Sequence, residues 1–143
     1  PTQQSDSVPA SPSLPPASSV QSNKGISFQL NSCKQESDTL SCELLITDKE
    51  QQRKLTLYSS GSRRFSRIID NQGNQFVASS VTFGWKTSSY VAQTLAQNVG
   101  LKTFLAFDDV QIQGDTLALV EVTAYTSEQK YFSIQFRDVP LSL

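Results

Sequence analysis

Two cysteines, a run of basic side chains and a missing residue type define the chemistry open to this sequence. Cys33 and Cys42 lie nine positions apart in NSCKQESDTLSC. If the flanking segments form a hairpin through Ser37-Asp38, residues whose numbers sum to 75 face each other, and the two cysteines meet that condition. Directly opposed strand positions place Cα atoms about 4.5 to 5.5 Å apart, within reach of a disulfide. A disulfide is the expectation, and two reduced, buried thiols are the alternative. A metal or redox site is a third reading, but two cysteines without histidine give too few soft ligands for zinc.

The chain contains no histidine. That removes Ser-His and Cys-His nucleophile pairs, the usual zinc sites and the commonest general base. Neither G-x-S-x-G nor a Walker or dinucleotide loop occurs. Asp108 and Asp109 are adjacent, and neighbours on a strand point to opposite faces, so they make a poor acid/base pair. Asp70-Asn71-Gln72-Gly73-Asn74 has oxygen side chains at alternate positions, yet the rest of a calcium loop does not follow. It reads as a hairpin turn. No catalytic residue, metal ligand or cofactor is expected.

Five of the twelve basic residues, Arg53, Lys54, Arg63, Arg64 and Arg67, fall in one stretch with Tyr58 and Phe65. The functional reading is an anion- or partner-binding face; the plain one is a solvated sheet face whose charges discourage edge pairing. Trp85, between Gly84 and the polar KTSS, is the candidate partner-contact aromatic.

Behind these residues the sequence alternates with period two. Ile26, Phe28 and Leu30 alternate with polar residues, as do Leu40, Cys42, Leu44 and Ile46, and later Phe132, Ile134 and Phe136. The parity change between Ala78 and Val81 suggests a bulge or bend. Leu117 to Tyr125 reads as a strand buried on nearly both faces, Tyr90 to Asn98 as strand then loop with a short helix as alternative, and Pro140 as a stop to pairing. About seven to nine strands without a long helix predict an all-β, antiparallel, immunoglobulin-like sandwich.

Residues 1–24 differ in kind. Five of the six prolines lie there, aromatics are absent and Asp6 is the one acidic residue. Such a segment buries too little apolar surface to offset the entropy of ordering it, so a flexible Pro/Ser/Gln-rich tether is expected, followed by a domain over 25–143. The net charge of −1 predicts no attraction to nucleic acid and none to a membrane except through an upstream anchor.

The segments FQLNSC (28–33), LSCELLITD (40–48), IIDNQGNQF (68–76), TLAQNVGLKTFLAFDDV (94–110) and FRDVPL (136–141) follow an order that resembles a family of small immunoglobulin-like domains of unknown function. That family occurs in bacterial, especially cyanobacterial, exported proteins and lipoproteins. The resemblance covers about 25–143, implies fold and export, and supplies no catalytic or ligand residues. YVAQTLAQNVG departs from it where a Pro-Gly-type turn is expected.

A persistent disulfide implies an oxidising compartment, so the expected address is periplasmic, cell-surface or secreted. The expected function is a non-enzymatic binding or assembly module of the bacterial cell envelope, with another envelope protein or an acidic glycan as partner. The alternatives are an accessory or sensor domain of a larger exported protein and, last, a carboxylate-dependent hydrolase.

Overall fold

The computed structural model describes residues 19–60 and 63–142. Among these it has twelve strands: β1 (Val20–Asn23), β2 (Ile26–Glu36), β3 (Thr39–Asp48), β4 (Arg53–Tyr58), β5 (Arg67–Asp70), β6 (Gln75–Val77), β7 (Ser80–Phe83), β8 (Lys86–Ser88), β9 (Tyr90–Leu95), β10 (Leu101–Asp108), β11 (Thr116–Thr126) and β12 (Lys130–Ser142). The count exceeds the expected seven to nine because several are three- or four-residue pieces. They form one curled sheet folded over on itself as a sandwich. One half runs β1-β2-β3-β10-β7-β8, the other β9-β4-β11-β12, with β5 continuing the line of β4 along β11.

Alternation decides which side chains fill the space between. In β3 the inward positions are Leu40, Cys42, Leu44, Ile46 and Asp48, all fully buried. Their partners in β2 are Ile26, Phe28, Leu30 and Cys33, which do not share one parity. A one-residue slip between Leu30 and Ser32 reconciles them: a bulge at Asn31 turns Cys33 to the same side as Leu30. Cys33 then faces Cys42 and the two are joined by a disulfide, with no free cysteine left.

Three sequence readings are corrected. β11 is not buried on both faces. Its inward set changes parity at Leu119 and Val120, near a register slip against β5, and beyond that Glu121, Thr123 and Tyr125 face out. Pro140 does not stop pairing. It sits opposite Thr116 where β12 leaves β11, and Leu141 and Ser142 then pair parallel with Cys33 and Lys34. Pro140 lacks an N–H, and the change of partner there makes that lack harmless. The sheet also begins at Val20 and not at residue 25, since β1 pairs with Gln29 to Ile26 of β2; residues 1–18 of the expected tether lie outside the described residues. Tyr90–Leu95 is strand, as expected, and the bend between Ala78 and Val81 is the crossing from one half of the sheet to the other.

Candidate functional site

The five basic residues do not form one face. Arg53 shares the inward parity of Leu55 and Leu57, and its guanidinium closes one end of the sandwich against Asp48, the last inward residue of β3. Its Nε lies 2.6 Å from Asp48 Oδ2 and its Nη2 3.1 Å from Oδ1, while Nη1 reaches Glu128 at 2.9 Å and Nη2 also donates to the Lys24 carbonyl. Asp48 accepts from the backbone N–H groups of Glu50 and Gln51 as well. Burial pushes the Asp48 carboxyl up, but Arg53 and these amides outweigh it and hold it below the usual carboxylate range. Arg53 is structural. Arg67 is engaged as well: it donates to Glu121 at 2.6 Å and to Gln75 at 2.7 Å. Glu121, raised by burial, is held low overall by Gln135 and Arg67. Lys54 points outward, opposite Thr94.

Arg63 and Arg64 are exposed, and among the described residues neither has a carboxylate partner. The excursion that carries them leaves the sheet after Tyr58 and is tied at its neck. Ser66 N donates to the Ser59 carbonyl at 3.0 Å, Ser66 Oγ to the Tyr58 carbonyl at 2.5 Å, and Ser59 Oγ to the Ser89 carbonyl at 2.8 Å. Both serines are fully buried. They satisfy polar groups that a departing chain leaves behind, which fixes the neck beside the exposed Arg63 and Arg64.

Arg64 lies on aromatic ground. Its Cζ is 3.9 Å from the ring centroid of Tyr131, a cation–π geometry. Tyr131 is 5.0 Å from Tyr125, its cross-strand partner, and 5.8 Å from Tyr58. Tyr58 in turn stacks at 6.0 Å on Tyr90, its partner in β9. All four tyrosines of the chain thus make one continuous patch across β9, β4, β11 and β12, on the outer face of the sheet. Tyr90 and Tyr131 are exposed, Tyr58 and Tyr125 half-buried. Burial, then the hydrogen-bonded hydroxyl of Tyr131, pushes the Tyr58 phenol up to about 12. An open groove of about 460 Å³ adjoins the patch, lined by Arg63, Arg64, Thr123, Tyr131 and Ser133 among others.

The remaining candidates lie elsewhere. Trp85 is at the tip of the β7–β8 hairpin and 84% exposed. Gly84 takes φ of +68° in that two-residue turn, the conformation such a turn requires at its first position. Asp108 and Asp109 end β10 in solvent. The Asp70 carboxylate is consumed by its own turn, accepting from Gln72 N, Asn74 N and Asn74 Nδ2, and those bonds, Asn74's first, hold it low. Sequence reasoning missed the tyrosine patch. The signal available was parity: Tyr58, Tyr125 and Tyr131 each neighbour an inward apolar residue and must therefore face out.

No known family and no curated protein matches the sequence. Among solved structures, the apo PCuAC domain of PmoF2 superposes with a TM-score of 0.52 at 9% identity, covering 87% of this chain and 97% of that domain. The copper-bound PCuAC domain from PmoF2 gives 0.47 at 9% identity over 86% and 98%. At such identity the likeness to the apo domain shows a shared fold alone.

Proposed function

We propose that this domain is a non-enzymatic binding module of an exported protein, and that it receives a protein partner with an acidic surface on its tyrosine face. One observation carries the reading: four tyrosines that the core does not use are gathered outside it, with the Arg64 guanidinium laid on Tyr131. Tyrosine offers large, stiff contact area at small entropic cost, and tyrosine and arginine are the residues enriched where interfaces concentrate their energy. Arg63 and Arg64 supply positive charge not already matched by a neighbouring carboxylate, which favours an acidic partner.

The rest of the chemistry supports binding over catalysis. A general acid needs a carboxyl raised toward neutrality. The carboxyls of Asp48, Asp70 and Glu121 are instead lowered by structural partners. Copper binding is not carried over from the PCuAC domains to this chain. Histidine and methionine are absent and the two cysteines are bonded to each other, so the imidazole and soft sulfur donors that hold copper are missing. The disulfide supports an extracytoplasmic address.

The test is selection of linear peptides from a random library on the immobilised wild-type chain. Acidic peptides should be enriched, and their affinity should fall at least about thirtyfold in Tyr131→Ala, as for a hot-spot contact. Peptides that bind Tyr131→Ala and Arg64→Ala as tightly as wild type would place the site elsewhere. Retention of a polyuronate in place of any peptide would overturn the protein partner in favour of an acidic glycan.

A further inference from the structure

Antiparallel strands reverse at alternate ends of a sandwich, and here alternate turns carry opposite charge. The register places Lys24, Lys49, Lys54, Lys86, Lys102 and Lys130 at the end where β2 begins and β3 finishes; these are six of the seven lysines, and all are exposed. Of the carboxylates at that end among the described residues, Asp48 and Glu128 are bound to Arg53, leaving Glu50. At the opposite end stand Glu36, Asp38, Asp108, Asp109 and Asp115, all exposed, with Lys34 held to Glu36. A chain of net charge −1 is therefore strongly polarised along its strands.

The one tryptophan stands at the lysine end. Gly84 N donates to the Lys102 carbonyl at 3.1 Å, and Gln93 Nε2 to the Phe83 carbonyl at 2.9 Å, so the hairpin tip that carries Trp85 is fixed between two lysines, Lys86 and Lys102. Val99, 57% exposed, lies on the adjoining loop before Leu101. Nothing in the core explains an indole presented in this way.

We propose that the lysine end, led by Trp85, seats on an anionic lipid surface. Indole rings favour the headgroup level of a bilayer, where the apolar ring and the N–H are both accommodated. Each lysine near an anionic surface strengthens attachment by roughly fivefold, and the acidic opposite end is repelled, so the domain docks in one orientation. The tyrosine face then stands at an angle to the membrane, free for a neighbour. This inference does not rest on that face having a partner.

Trp85 is its own reporter. With the full chain, phosphatidylcholine vesicles containing phosphatidylglycerol should shift tryptophan emission to the blue and shield it from acrylamide at low salt, less so at moderate salt. Vesicles of phosphatidylcholine alone should not. The exposed pair Lys86→Gln and Lys102→Gln should weaken the response more than about tenfold, with unchanged circular dichroism. Trp85→Ala should weaken co-sedimentation. Emission unmoved by phosphatidylglycerol vesicles, a response indifferent to the two lysines, or one reproduced by a soluble polyanion such as heparin would overturn the proposal.

Discussion

Strand β3 is fastened at both ends, and the two fastenings answer to different chemistry. Near its start Cys42 is bonded to Cys33; at its finish Asp48 holds Arg53. Both Cys42 and Asp48 occupy inward positions of the same alternating strand and both are fully buried. A disulfide is compact and apolar, so it sits among Leu40 and Leu44 without further support. A buried carboxylate is tolerated only where charge and hydrogen bonds meet it. Asp48 has that place because the strand ends there: the backbone turns, presents the N–H groups of Glu50 and Gln51, and brings Arg53 round from β4. Parity thus fixes which residues go inside, while position along the strand fixes what kind of residue survives there.

Removing the arginine tests that contrast most severely. Arg53→Ala leaves Asp48 buried without its cation, and a loss of about 3–5 kcal/mol is expected in urea unfolding at neutral pH. The pH dependence has a definite sign. The Asp48 carboxyl is held below its ordinary value of 3.8, so its contribution is present above that pH and is lost as pH falls further through the folded value. Asp48→Asn should therefore flatten the acid limb of the stability profile while leaving the disulfide intact. A profile as steep as wild type would mean that other carboxylates carry acid unfolding.

The covalent fastening comes next in size. Replacing Cys33 and Cys42 together by Ala should lower stability by about 2–3 kcal/mol, chiefly by freeing the unfolded chain. The loss should be the same at pH 7 and at a pH below 3.8, unlike that of Arg53→Ala. A pH-dependent loss in the cysteine double variant would show that the two fastenings are coupled through β3.

Much of the fold was legible because period-two patterning is a direct readout of a half-buried strand, and the cysteine pairing followed from hairpin arithmetic alone. The bulge at Asn31 was hidden, since its one trace is the parity mismatch between Leu30 and Cys33. The partner change of β12 at Pro140 depends on a strand more than a hundred residues earlier, which local patterning does not reach. The site was less legible for the same reason. Arg53 and Arg64 look alike in the sequence, yet one faces in and the other rides a loop, and lysines scattered along the chain converge because every second turn returns to the same end. Closeness in sequence overstated the arginine cluster; distance in sequence concealed both the tyrosine patch and the charged ends.

The outer face should show the smallest effect, and it sharpens the contrast from the other side: here charge and ring are solvated, and little stability is at stake. The Tyr58 phenol is displaced to about 12 from an ordinary 10.0, through burial and then Tyr131, with Tyr125 adding and Arg64 opposing. A folded value above the unfolded one contributes stability that is present below pH 10 and lost as pH rises toward 12. In a near-ultraviolet absorbance titration, the Tyr58 ionisation near pH 12 should vanish in Tyr58→Phe and move downward in Tyr131→Phe, which keeps the ring but removes the hydroxyl. Arg64→Gln should move it up, because the opposing cation is gone, at a stability change of no more than about 1 kcal/mol. If Tyr131→Phe leaves the titration in place, burial alone sets Tyr58 and the four rings do not act as a unit. That outcome would also weaken the case for a shared docking face, since a patch whose hydroxyls ignore one another is a coincidence of outward parity.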